Sequence, residues 1–185
     1  MKILAGRFKG LSVHTSSKMA YRPTKSRVRK SIFDRLQNFN FKSTLDLFSG
    51  SGIIGFESAS RGATEVTFVE NNVKIMNQLR KNSELFNDVK FRFNRVNVLL
   101  AIQNLDNFDF IYADPPYGEI HLQPLSETIL KHLNKDGIFI LTVDPWSISA
   151  DISLDTSYID QSSVLFDIRN CNIYPNYEYL IKSLV

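Results

Sequence analysis

Between residues 44 and 143 the chain alternates short β-type apolar runs with stretches of helical spacing, and that rhythm restricts it to a parallel α/β sheet. The predicted strands are 44–48, 65–70, 89–93, 108–113 and 138–143, and the predicted helices between them are 52–61, 72–86, 98–105 and 124–133. Gly62 and Gly137 stand where helix-ending turns are expected. Two more strands are predicted at 163–169 and 177–182. The loop between them, which contains Pro175, is too short for a parallel crossover, so this pair is expected to be antiparallel. The expected architecture is α/β, a mostly parallel seven-stranded sheet with an antiparallel C-terminal strand.

Ahead of this body, residues 3–6 and 11–14 read as a short β-hairpin around Arg7-Phe8-Lys9-Gly10. Pro23 and Thr24 supply helix-start chemistry, and Val28, Ile32, Phe33 and Leu36 recur at helical spacing. Lys25, Arg29 and Lys30 are expected on the opposite face. The chain therefore divides into an appendage, 1–40, made of a hairpin and a basic helix, and a main domain, 41–185. With 185 residues and 43% hydrophobic content, one substantial core is expected.

Charge is unevenly placed. Ten of the 22 Lys and Arg residues fall within residues 1–35, against one of the 19 acids, Asp34. Such an arm suits a polyanion, although a solvated basic face would look the same. Arg7, Lys9, Arg22, Thr24, Arg27 and Arg29 are the candidate contacts, chiefly to phosphate. No apolar run reaches signal-peptide or membrane-spanning length, which leads to the expectation of a soluble, cytoplasmic protein with no membrane partner. The single cysteine, Cys171, cannot close an internal disulfide, and His14, His121 and His132 are scattered. No metal is expected, and monomer is the default.

The first strand of the α/β body runs into Gly50-Ser51-Gly52-Ile53-Ile54-Gly55, a G-x-G-x-x-G at the opening of a helix. Gly50 and Gly52 are expected to let the backbone approach a ligand, and Gly55 to let the helix lie close to the sheet. Glu70 ends the second strand, 20 positions after Gly50, where a carboxylate can accept both ribose hydroxyls of an adenosine. The glycines alone would also suit NAD. Asp46, four positions before Gly50, would repel a pyrophosphate and favour a cationic methionine moiety, held directly or through water. S-adenosylmethionine is therefore the expected cofactor, with Phe48, Ser51 and Asn71 completing the contacts.

Asp114-Pro115-Pro116-Tyr117 follows the fourth strand and carries the second half of the chemistry. An exocyclic base amine is a poor nucleophile because its lone pair is delocalised into the ring. The Asp114 carboxylate, with the Asp114 or Pro115 carbonyl, offers two acceptors that draw the lone pair out of plane. Pro115 and Pro116 stiffen the turn and add no competing donor. Tyr117 offers a face on which a base stacks. Alone, the string also fits an ordinary strand ending in a Pro-Pro loop.

Taken with Ile3-Leu4-Ala5-Gly6-Arg7-Phe8-Lys9-Gly10, Arg22-Pro23-Thr24 and Arg27-Val28-Arg29, these motifs resemble the bacterial small-subunit rRNA guanine-N2 methyltransferases of RsmD type. The glycine and Pro-Pro motifs are shared by many amino-methyltransferases; the N-terminal segments narrow the resemblance. It implies a Rossmann-like class I methyltransferase fold and methylation of a guanine N2 in 16S rRNA, on an assembled or nearly assembled small subunit. It also implies adenine contacts at Asn97 and Val98. Three positions depart from the family pattern: Lys30 and Asp144 where Glu is common, and Asn97 where an acid often meets the adenine amine. Competing readings are a DNA adenine-N6 or cytosine-N4 methyltransferase, a protein-glutamine methyltransferase, and a non-catalytic RNA-binding factor.

Overall fold

The computed structural model describes residues 1–15, 24, 26–116, 120–143, 163–168 and 181–182. The chain falls into two compact units, Met1–Val98 and Leu99–Val185.

In the first unit, α1 (Ser26–Arg35) precedes β1 (Ser43–Leu47), α2 (Ile53–Ser60), β2 (Glu65–Val69), α3 (Val73–Ser83) and β3 (Lys90–Asn94). β2 pairs in parallel with β1 on one side and with β3 on the other. Burial explains the strand sequences: β1 and β2 are buried from their second residues onward, on both faces, so they read as continuous runs. β3 is only half-buried, and its sequence alternates Lys90, Phe91, Arg92, Phe93 accordingly.

Every residue of α2 is buried, including Glu57, Ser58 and Ser60. A helix with no solvent face must satisfy its polar side chains internally. Ser58 Oγ donates to the Gly55 carbonyl of its own helix at 2.7 Å, and the N-terminal segment supplies partners to Glu57 and Ser60. Leu4 and Ala5 donate their N–H groups to Glu57 Oε2 and Oε1 at 2.9 and 3.0 Å, Phe8 donates to Ser60 Oγ at 2.9 Å, and Ser60 Oγ donates to the Ala5 carbonyl at 2.6 Å. This corrects the hairpin expected over 3–6 and 11–14. The antiparallel pairing is shifted and shorter, joining residues 1–3 to 11–13: Ile3 N–H donates to the Leu11 carbonyl at 2.9 Å and Val13 N–H to the Met1 carbonyl at 2.7 Å on either side of a single bridge, Lys2 to Ser12, while Leu4 and Ala5 donate to Glu57 instead of extending it. Asn82 of α3, fully buried, holds the far end of the segment: it accepts from His14 N–H at 3.1 Å and donates to the His14 carbonyl at 2.9 Å.

α3 begins at Asn72, whose side chain accepts from the Lys74 and Ile75 N–H groups, and it ends with Arg80 and Lys81 in its last turn, as the helix dipole favours. Phe56, Phe68, Phe86 and Phe91 pack ring on ring beneath it, with centroids 4.9–6.0 Å apart.

α4 (Val98–Ala101), whose first residue is the last of the first unit, tightens into a 3₁₀ turn over Ile102–Asn104, so the helix predicted at 98–105 is only partly α; the elements that follow belong to the second unit. β4 (Phe108–Ala113) pairs in parallel with β5 (Leu133–Val143), and α5 (Leu122–Leu130) connects them. α5 starts and ends earlier than predicted, and β5 starts earlier. Leu133 already pairs with Phe108, after which the register shifts before Phe110 meets Ile138. Asp136, at φ 62°, turns the chain there, and Asn134 Nδ2 donates to Asp109 Oδ1 at 2.7 Å. The backbone of β6 (Ser163–Ile168) pairs in parallel with β5, and that of β7 (Ile181–Lys182) pairs antiparallel with β6 over two residue pairs. Cys171, Pro175 and Asp144 lie outside the described residues.

No helix among the described residues is long and apolar enough to cross a membrane.

Candidate active site

The glycine loop joins the carboxyl end of β1 to α2. Three of its residues have left-handed backbone: Phe48 at φ 55°, Gly50 at 49° and Gly52 at 69°. A phenylalanine held there carries strain that the surroundings must sustain. Ser49, which sequence reasoning passed over, is a clamp that does so. Its Oγ donates to the Asp46 carbonyl at 2.6 Å and accepts from Val69 N–H at 3.0 Å, while its own N–H reaches the Val69 carbonyl. The ends of β1 and β2 are thereby locked together beside the loop.

Glu70, half-buried at the end of β2, accepts from Gly50 N–H at 3.2 Å and from Asn72 N–H at 2.9 Å. An ionised carboxylate has about four acceptor sites, so both oxygens retain capacity for a diol. Asp46 is buried at 1% exposure, and its Oδ2 accepts from Gly55 N–H at 3.0 Å, capping the first turn of α2. Burial holds the Asp46 carboxyl well above the ordinary carboxylate range; the Gly55 N–H opposes that shift and the negative Glu70 adds to it.

The glycines divide differently from the sequence expectation. A Cβ on Gly52 would meet Leu79 Cδ2 at 2.3 Å, so the space beside Gly52 belongs to the core and not to a ligand. Gly55 lies against Phe68 and Val66, with Cβ contacts of 2.4–3.0 Å, which is where α2 touches the sheet. Ser51 is buried, Asn71 and Asn97 are exposed, and Val98 is buried.

In the second unit, Asp114 is half-buried, Pro115 buried and Pro116 exposed, directly after the last residue of β4. The buried Thr142 hydroxyl donates to Tyr112 Oη at 2.8 Å, joining β4 to β5 two residues before Asp114. Tyr117 lies outside the described residues.

Of the candidate polyanion contacts, Arg7, Lys9 and Arg27 are exposed and Thr24 is half-buried, while Arg22 lies outside the described residues. Arg29 is a correction. It is 3% exposed, donates from Nη1 to the Lys2 carbonyl at 3.1 Å and lies 3.6 Å from Glu57. Its side chain faces inward from α1, so it cannot meet a phosphate. Burial lowers the pKa of its guanidinium and the Glu57 charge pushes it back up. Lys30 is exposed and pairs with Asp34 one turn along the same helix. Among the described residues, no three His, Cys, Asp or Glu side chains are grouped as metal ligands.

The sequence profile of conserved hypothetical protein 95 matches residues 1–153. The chain belongs to this family. It is the RsmD-type family of class I methyltransferases that the motifs resemble. Ribosomal RNA small subunit methyltransferase D of Haemophilus influenzae is 34% identical over 128 residues, covering 63% of this chain and 64% of that protein. The chain thus spans just under two thirds of that relative's length. YlbH of Bacillus subtilis, named as a candidate rRNA methyltransferase, is 31% identical over 152 residues, covering 78% of this chain and 83% of that protein. The solved structure of yhhF from Escherichia coli, named as a candidate methyltransferase, matches with a TM-score of 0.64 at 24% identity, over 74% of this chain and 76% of that one. That likeness shows the Rossmann-like methyltransferase fold.

Proposed function

We propose that this family member uses S-adenosylmethionine to methylate the exocyclic N2 amine of a guanine in 16S rRNA of the small ribosomal subunit. The observation that carries the reading is the position of Asp114: it follows a buried parallel strand, at the carboxyl edge where ligands of open α/β sheets bind, as Gly50 and Glu70 do in their own unit. The names of the curated relatives support rRNA as substrate. In the same reading, β6 and β7 complete a seven-stranded sheet with an antiparallel last strand, and residues 1–40 form the RNA-facing part of a soluble, cytoplasmic monomer.

The residues fit the cofactor. Glu70 would take the ribose hydroxyls, Gly50, Ser51 and Phe48 the wall beside them, Asn71, Asn97 and Val98 the adenine side, and Asp46 the positive methionine end. Gly52 and Gly55 hold the helix that frames the loop. When bound, S-adenosylmethionine supplies an electrophilic methyl group on a cationic sulfur.

Asp114 and the neighbouring carbonyl accept the two N–H groups of the guanine amine and turn its lone pair towards that carbon. Once methylated, the amine would release one proton to Asp114 or to water, so no strong base is needed. Pro115 and Pro116 keep the acceptors in place, and Tyr117 stacks on the flipped base. Alignment supplies much of the rate gain, because charge is lost as the reaction proceeds. Arg7, Lys9, Arg22, Thr24 and Arg27 position the RNA by its phosphates.

Transfer of radiolabelled methyl to small subunits, naked 16S rRNA, duplex DNA and a release-factor protein tests the proposal. Label is expected on rRNA guanine N2 alone. Asp114→Ala is expected to lower turnover by at least about a hundredfold while calorimetric cofactor binding persists. Label on DNA or protein, or full turnover in the variant, would refute it.

A further inference from the structure

We propose that Arg80 on α3 and Arg7 in the N-terminal segment form a two-point phosphate clamp for rRNA. The inference rests on the rRNA reading above and adds a contact that charge counting along the first 35 residues does not reach.

Among the described residues of the first unit, five basic side chains are paired with carboxylates: Lys30 with Asp34, Arg29 and Arg61 with Glu57, Lys90 and Arg92 with Glu65. Arg7 and Arg80 differ. Each is exposed, and each guanidinium lies over a phenyl ring, Arg7 over Phe8 at 4.8 Å and Arg80 over Phe93 at 5.0 Å. Neither makes an ion pair among the described residues, and the exposed acids after α3, Glu84 and Asp88, pair with neither. A ring beneath a guanidinium fixes its plane without consuming its N–H donors. The five donors of each group therefore stay available in a preset orientation, which suits forked recognition of phosphate oxygens.

The two platforms belong to one continuous structure. Phe8 meets Phe86 at 4.9 Å, Phe86 meets Phe91 at 6.0 Å, and Phe91 meets Phe93 at 6.4 Å. Phe86 is buried and stacks on Phe56 of α2 at 4.9 Å, so the string is rooted in the core. Asn82, also on α3, ties His14 to the same helix. Nucleotides advance about 3.4 Å along a strand, so three ring-to-ring steps correspond to a few nucleotides. Lys90 lies on the opposite face of the sheet from Phe91 and Phe93, because side chains alternate along β3.

The test uses the full chain and an unmodified 16S rRNA transcript, with affinity measured across a salt series. Arg80→Gln and Arg7→Gln are each expected to weaken binding about tenfold near 0.1 M salt and to reduce the slope of log K against log salt by about 0.7 to 0.9. Arg80→Lys is expected to keep the slope and recover only part of the affinity. Lys90→Gln is expected to change neither, and calorimetric affinity for S-adenosylmethionine is expected to stay constant in all four. If wild type binds the transcript and Arg80→Gln matches it in affinity and slope, or if Lys90→Gln loses as much as Arg80→Gln, the clamp is wrong while the rRNA reading stands. If wild type neither binds the transcript nor methylates small subunits, the rRNA reading fails and the clamp with it.

Discussion

The guanidinium of Arg29 lies 3.6 Å from the fully buried carboxylate of Glu57, which also accepts from Arg61 Nε at 3.0 Å and from the backbone N–H groups of Leu4 and Ala5. One side chain of α2 therefore holds both α1 and the N-terminal segment. Glu57→Ala strands a buried cation and two backbone donors, and it is expected to cost about 3–5 kcal/mol. Arg29→Met should cost less, because Glu57 keeps Arg61 and both N–H groups. Urea unfolding of the two variants measures the difference; equal losses would show that Glu57 is not the centre of the network.

Gly6 and Gly10 both have left-handed backbone, at φ 82° and 87°, yet only at Gly6 is the side-chain direction blocked. A Cβ on Gly6 would sit 1.9 Å from the Ser60 carbonyl oxygen, while one on Gly10 meets nothing within 4 Å. Gly10→Ala is expected to cost about 1–2 kcal/mol, the ordinary penalty of that conformation. Gly6→Ala should cost distinctly more and lift the segment from α2. Limited proteolysis between residues 1 and 15, compared with the thermal midpoint, separates the two.

Asn82→Ala removes both hydrogen bonds to His14 from a fully buried site. The expected loss is about 1–3 kcal/mol, with the His14 N–H left without its acceptor. Hydrogen exchange at the His14 amide should rise far more than at Leu45 in β1. Equal protection in the variant and wild type would contradict the assignment.

Asp46 gives a pH signature. Its folded-state pKa is raised, so the folded protein keeps this proton at a pH where the unfolded chain has released it. The contribution of Asp46 to stability is therefore greatest at low pH and is lost as pH rises from the ordinary carboxylate range through the raised folded value. Asp46→Asn retains an acceptor for Gly55 N–H and does not titrate. Its thermal midpoint should match wild type near pH 4 and exceed it increasingly towards neutrality. A constant offset across that range would reject the reading.

Several of these features left no trace in residue order. Glu57 lies in Ile53-Ile54-Gly55-Phe56-Glu57-Ser58-Ala59-Ser60, where no periodicity marks it, and apart from Arg61 one turn along the helix its partners lie 28 to 53 positions away. Arg29 was assigned to the solvent face with Lys25 and Lys30, because helical spacing locates an apolar stripe but cannot reveal a buried acid that draws an arginine inward. Gly52 fits a ligand loop by spacing, whereas Leu79 occupies the room beside it. Ser49 and Asn82 act on backbone groups of distant segments, and such contacts have no sequence signature.

Local rules were enough for the elements whose causes are local. The alternation of short apolar runs with helical stretches set the order of β1 to β5 and the helices between them, and turn chemistry placed Gly62, at φ 126°, just past the end of α2. The Asp46, Gly50, Glu70 and Asp114 positions could be read because their spacing from strand ends is a property of one chain segment at a time. How the first fifteen residues are held, which arginine is buried and which stand on phenyl rings came from packing. Those outcomes depend on charges and rings brought together from far along the chain, where burial makes an unpaired group too costly to leave and exposure leaves its donors available.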